Sequence, residues 1–157
     1  MIDQFKKDII EGLSKQNKTL PSKYFYDKKG DKLFQQIMAM PEYYLTNAEM
    51  DIFQNKTLEL IKALNVDKNT YFELIELGAG DGTKTIHLLD KLVRNKYDFK
   101  YLPVDISRNA LNGLEKMLIR ELPDLKVEPK QGDYFERLND LKQSNHPKIV
   151  LVLGSNI

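Results

Sequence analysis

Residues 71–95, YFELIELGAGDGTKTIHLLDKLVRN, restrict the fold of this chain more than any other stretch. YFELIEL (71–77) is a short apolar run closed by glycines, the pattern of a buried strand. GAGDG then places three glycines, Gly78, Gly80 and Gly82, within five positions. GTKTIHLLDKLVRN (82–95) resumes at helical spacing. A strand, a glycine-dense turn and a helix make up one unit of a parallel α/β sheet. The unit recurs downstream. FKYLPVD (99–105) reads as strand and SRNALNGLEKMLIREL (107–122) as helix, with Ser107 as its N-cap. DLKVEPKQ (124–131) is a weaker strand, DYFERLNDLKQ (133–143) a short helix and KIVLVLG (148–154) a buried strand. Proline cannot donate to a ladder, so the strands holding Pro103 and Pro129 are expected to end or bulge there. The pattern gives four parallel strands with helices on both faces. A doubly wound sheet of this kind usually has more, so the sheet reads as incomplete, with the edge beyond 148–154 uncovered.

The first 66 residues have a different rhythm, and we read them as a helical segment set apart from the α/β portion at 67–157. Residues 3–14 place Phe5, Ile9, Ile10 and Leu13 on one helical face, with the lysines on a solvated one. LPSKYFYDKKG is an aromatic-rich loop closed by Gly30. DKLFQQIMAM returns to helix until Pro41 stops it. Thr46 followed by Glu49 reads as a capping box opening a helix that runs to about Leu64. With 24 basic and 23 acidic residues the net charge is +1, so charge gives no reason to expect a nucleic acid or an anionic membrane as partner. No apolar stretch approaches the ~18–20 residues of a membrane span, and the N-terminus lacks the apolar block of a signal peptide. Cysteine is absent and the only histidines are His87 and His146. Thiolate chemistry is therefore excluded and no metal site is expected. A cytoplasmic protein is the expectation.

In an open parallel sheet, ligands bind beyond the carboxyl ends of the strands, near the point where strand order reverses. The glycine loop lies at such an end. Glycines let the backbone turn tightly and approach a ligand, and the following helix start offers free N–H groups. The loop lacks the GK[ST] ending of a P-loop, and Thr83 stands where a dinucleotide fingerprint needs glycine. Asp105 closes the second strand, where a carboxylate can accept both hydroxyls of a ribose. Asp133 and Tyr134 of GDYF follow the third strand, where they can meet an adenine. Adenosine is the shared ligand, and both NAD and S-adenosylmethionine (SAM) contain it. Lys84 favours SAM, because it or the backbone donors can meet the methionine carboxylate, while acidic residues can meet the ammonium and sulfonium.

IELGAGDGTKTIHLLDKL, YLPVDISRNAL, GDYFERL and LVLGSNI, in this order, resemble the histidine-specific SAM-dependent methyltransferases. So does LPSKYFYDKKGDKLFQQIMAMPEYYLTNAEMDIF, which makes the resemblance specific to that family rather than to class I methyltransferases at large. It spans roughly residues 20 to 157. It implies a Rossmann-like class I methyltransferase sheet behind an N-terminal helical segment on the substrate side. It further implies that Gly78, Gly80, Lys84, Asp105, Asp133 and Tyr134 line a SAM pocket with Gly154 behind it. Tyr26 and Tyr43 would reach over the cofactor toward a small amino-acid substrate. Asp81 and Gly82 stand where the family often has small hydroxyl residues. In the family LGSxI is followed by Gly-Asn, whose asparagine helps hold the substrate; that position falls beyond Ile157, so the chain reads as the cofactor-binding portion of a longer N-methyltransferase. A competing expectation is a non-catalytic module that holds SAM or pairs with a partner, itself included, across the open sheet edge.

Overall fold

The computed structural model describes residues 2–154 of the chain. Four strands, β1 (Phe72–Leu77), β2 (Phe99–Asp105), β3 (Lys130–Gln131) and β4 (Lys148–Val152), form one parallel sheet in the order β3-β2-β1-β4. The chain adds β2 and β3 on one side of β1, then crosses back to add β4 on the other. The reversal therefore falls between β1 and β4.

Side chains alternate across a strand, and here each face finds its own cover. On one face, Phe72, Leu74, Phe99 and Tyr101 pack with Leu88 and Leu92 of α5 (Ile86–Arg94) and with Leu114 and Leu118 of α6 (Arg108–Glu121). Phe72 and Phe99 are direct cross-strand partners, and their rings stack with centroids 5.5 Å apart. On the other face, Ile75, Leu77, Leu102 and Val104 pack against Leu138 and Leu141 of α7 (Tyr134–Leu141). All six residues of β1 are buried, as expected for a central parallel strand.

Several boundaries differ from the sequence expectation. Pro103 lies inside β2 without ending it. Tyr101 donates its N–H to Lys126, so the ring nitrogen of Pro103, two residues on, faces the same side. On that side β3 is interrupted: an isolated bridge joins Tyr101 to Val127, and pairing resumes only at Lys130. The proline sits where no donor is wanted, and Pro129 falls in the gap. The strand expected over 124–131 thus shrinks to two residues. The helix expected from 82 begins at Ile86, because Gly82 is held at φ +68° and residues 82–85 still turn.

The N-terminal segment contains α1 (Ile2–Ser14), a short 3-10 turn (Ser22–Phe25), α2 (Lys28–Met38), α3 (Tyr44–Asn55) and α4 (Thr57–Leu64). The single helix expected from Thr46 to Leu64 is two, broken at Lys56 (φ −120°, ψ 14°). The capping box is also corrected. Tyr43 is the N-cap of α3 and makes no side-chain cap bond, so Thr46 and Glu49 lie one turn inside the helix. Asp27, not foreseen, caps α2 by accepting from the N–H groups of Lys29 and Gly30. The apolar face of α1 stays largely open, with Phe5, Ile10 and Leu13 exposed. α1 is tied down through Tyr24 and Lys23: Phe5 meets the Tyr24 ring edge-to-face with centroids 4.6 Å apart, and Asp8 accepts from the Tyr24 hydroxyl at 2.6 Å and pairs with Lys23 at 3.0 Å. These hydrogen bonds, Tyr24 first, hold the Asp8 carboxyl down at about 2. No residue of α2 is buried. Phe53 of α3 and Ile61 of α4 instead join the core beneath α5, while α2 and the start of α3 form a largely polar layer over the carboxyl ends of the strands.

Candidate functional site

Between that layer and the strand ends lies a cavity of about 480 Å³, inside the ~300–1,000 Å³ typical of small-molecule sites. Its floor is the glycine loop. Gly78, Gly80 and Gly82 take φ of +73°, +56° and +68°, the left-handed region that glycine enters without penalty. At Gly78 the space is also needed, since a Cβ there would stand 2.5 Å from the Tyr134 hydroxyl oxygen. The loop is pinned by Gly78 donating to the Val104 carbonyl at 2.8 Å and by Gly80 donating to Asp105 Oδ2 at 3.0 Å.

Asp105 ends β2 and lines the cavity. Its Oδ1 accepts from the Ser107 N–H at 2.8 Å, while the Ser107 hydroxyl caps α6 through the Ala110 N–H. Burial pushes the Asp105 carboxyl up, against the backbone donors that pull it down. Tyr134 also faces the cavity; burial, then the charge of Asp105, raises its hydroxyl to about 12, so it is a neutral phenol. Asp133 does something else: it caps α7 by accepting from the Phe135 N–H at 3.0 Å and is not among the cavity-lining residues. Gly154 lines the far end at φ +82°. Over the cavity, Tyr26, Phe34 and Tyr43 form an edge-to-face row with ring centroids 5.9 and 6.2 Å apart. Both tyrosines line the cavity.

Four carboxyl or hydroxyl groups complete the wall; the sequence leads one to expect acidic residues near the loop, where Glu76 stands, but singles out none of the four as a site residue. Glu76, the last acidic residue before the loop, is fully enclosed. It accepts from Thr85 Oγ1 at 2.7 Å and from the Tyr101 hydroxyl at 2.5 Å. Burial raises its carboxyl to about 7 despite those two donors. Asp31 of α2 accepts from the Ser107 hydroxyl at 2.6 Å. Glu49 of α3 pairs with Lys84 and accepts from the Gly154 N–H at 2.8 Å. Thr46 Oγ1 is buried without a hydrogen-bond partner among the described residues. The sequence did carry a signal for Thr46 and Glu49, their spacing of three, but that spacing is equally the signature of a capping box.

The lining fits a nucleoside joined to a charged amino acid: a carboxylate at the β2 end, aromatic and apolar walls, and a cation and an anion at the β1/β4 end. The profile of the family described as histidine-specific, SAM-dependent methyltransferase matches residues 5–157. The chain belongs to that family. It is 34% identical over 152 residues to the histidine N-alpha-methyltransferase of Mycobacterium tuberculosis, covering 97% of this chain and 46% of that protein. It is 29% identical over 154 residues to a 4-dimethylallyltryptophan N-methyltransferase of Epichloe festucae var. lolii, covering 95% of this chain and 44% of that one. The chain thus spans about half the length of the curated relatives it matches. A solved structure assigned as an S-adenosyl-L-methionine-dependent methyltransferase from Methanococcus maripaludis superposes with a TM-score of 0.51 at 20% identity, over 82% of this chain and 51% of the other. That likeness shows the fold, a class I methyltransferase sheet. Among the described residues no helix is long and apolar enough to cross a membrane, and no cluster suits a metal ion.

Proposed function

We propose that this chain is the cofactor-binding part of a SAM-dependent N-methyltransferase that methylates the amine of an amino acid, histidine or one similar to it. The observation that carries the proposal is the cavity itself. Gly78, Gly80 and Gly82 form its floor, Asp105 and Tyr134 stand at one end, Lys84 and Gly154 at the other, and Tyr26 and Tyr43 cover it. In this reading residues 1–66 are the substrate-side layer and residues 67–157 the cofactor-binding portion, and a cytoplasmic setting suits both ligands.

SAM supplies an electrophilic methyl on a sulfonium that is already a good leaving group. The protein's part is to position the groups in line and to keep the accepting nitrogen unprotonated. Asp105 accepts the ribose hydroxyls. Tyr134 offers an apolar ring face beside the adenosine, and the Gly78–Gly82 turn brings backbone close to the ligand. Asp133 supports this from outside by fixing the start of α7 and so the direction of Tyr134. Tyr26 and Tyr43 give an apolar wall with hydroxyls able to orient an incoming amine.

The test is calorimetric titration with S-adenosylhomocysteine, followed by methyl transfer to histidine and other amino acids. One-to-one binding is expected, weakened at least roughly tenfold by Asp105→Ala, since a hydrogen bond to a charged group contributes about 1.5–3 kcal/mol. Unchanged affinity in the variant refutes the pocket assignment. A second reading, a non-catalytic SAM-holding or pairing module, is favoured by β4. Among the described residues it pairs only with β1, and Val150 and Val152 are 44% and 46% exposed. Binding without transfer to any amine, or a dimer by light scattering, would favour that reading.

A further inference from the structure

Glu49 stands out among the cavity residues because both of its oxygens are engaged across the molecule. One pairs with Lys84, on the loop after β1; the other accepts from Gly154, just after β4. Glu49 itself belongs to α3, in the layer above the sheet. It therefore spans the cleft where strand order reverses, at the end of the cavity opposite Asp105. One turn earlier on the same face of α3, Thr46 presents a buried hydroxyl without a partner.

The proposed ligand has two ends. With its ribose at Asp105, its amino-acid end must lie at the β1/β4 cleft. That end is a zwitterion, an ammonium and a carboxylate on one carbon. The cleft offers the complementary pair, a carboxylate and an ammonium already in contact. We propose that Glu49 is the residue that receives the α-ammonium of SAM, while Lys84 turns to the α-carboxylate and the Thr46 hydroxyl supplies a further hydrogen bond. Resting on the SAM-binding reading, this extends it to a residue of the helical layer.

Charge balance supports the exchange. The side chains of Lys84 and Glu49 are only 19% and 23% exposed, so an unpaired charge on either would be poorly solvated. A zwitterion entering between them leaves both neutralised, and one ion pair becomes two. A ligand with only one of the two charges would leave the other side chain stranded. The arrangement therefore selects for an intact amino acid, and it couples cofactor binding to the seating of α3 on the sheet.

Two ligands and two proteins test this. S-adenosylhomocysteine and its analogue lacking the α-amino group are titrated into the protein and into Glu49→Gln, with circular dichroism as the check on folding. The protein should prefer S-adenosylhomocysteine by roughly ten- to a hundredfold, the range of a charge-assisted hydrogen bond, and Glu49→Gln should lose most of that preference. If Glu49→Gln weakens both ligands by the same factor, or neither, Glu49 is only a tie between layers and the proposal is overturned. Should Glu49→Gln fail to fold, Glu49→Asp in the same titrations decides: retained preference supports the assignment, and an undiminished affinity for both ligands with no preference between them refutes it. 5′-Methylthioadenosine, which has no amino-acid end, separates the two readings. If it binds while the Glu49 cycle is additive, only the ammonium site is wrong; if neither it nor S-adenosylhomocysteine binds the unaltered protein, the SAM pocket falls and the ammonium site with it.

Discussion

Replacing Glu76 with glutamine should flatten the pH dependence of stability in the ligand-free protein. Glu76 is buried beneath the glycine loop, and its carboxyl is raised from 4.5 to about 7, chiefly by desolvation. The unfolded chain releases that proton near 4.5 and the folded protein holds it to about 7. Between those values the folded state binds more protons, so stability is fully present below about pH 4.5 and falls as pH rises through about 7. At about 1.4 kcal/mol per pH unit, the loss is about 3 kcal/mol. Glutamine cannot ionise. Its carbonyl can still accept from Thr85 or Tyr101, and the other hydroxyl can turn to accept from the amide, so the substitution adds only an offset independent of pH. Asp105 is also raised and acts in the same sense; it is present in both proteins, so its own desolvation drops out of the difference and only its electrostatic coupling to Glu76, the smallest of the causes acting on that carboxyl, remains. Urea unfolding at intervals from pH 4.5 to 8.5 measures this directly. The stability of Glu76→Gln relative to the unaltered protein should climb by about 3 kcal/mol across the range. Parallel curves would mean that Glu76 is ionised in the folded state, and the burial argument would be wrong.

Two further substitutions probe the backbone. Gly82→Ala forces a left-handed alanine, at about 1–2 kcal/mol, and drives its Cβ into the Leu114 side chain in the core, a further ~1–3 kcal/mol; the melting temperature should fall by on the order of 10 °C, and a fall under about 2 °C would refute the clash. Lys96→Gly should do the opposite. Lys96 sits at φ +58° after α5, where its N–H donates to Val93 and that of Tyr97 to Leu92, a Schellman ending that favours glycine. A gain of about 0.5–1 kcal/mol in urea unfolding is expected, and a loss would show that the lysine side chain contributes more than its backbone costs.

The strand–loop–helix order was legible because each unit is local. A central parallel strand is buried on both faces and so reads as an unbroken apolar run, and a loop that needs positive φ reads as glycine. The same locality exposed Gly78, Gly80, Asp105 and Tyr134, which sit at strand ends fixed by that order. β3 was over-read because an edge strand needs few paired residues, and the gap opposite Pro103 depends on a neighbour that the local sequence does not show. The break at Lys56 likewise follows no local breaker.

What the sequence by itself determined is the family, the parallel sheet and the floor of the pocket, all written in contiguous stretches. What only the tertiary structure decided is the roof. Glu49 reaches Lys84 and Gly154, and Asp31 reaches Ser107, across separations of tens of residues in the chain. Each is an ordinary acidic residue in an amphipathic helix until the helix is laid on the strand ends. A half-buried carboxylate there finds its donors on the loops around the cavity. Long-range pairing of this kind leaves no periodic trace in a sequence, because it depends on where two elements meet rather than on how either is built.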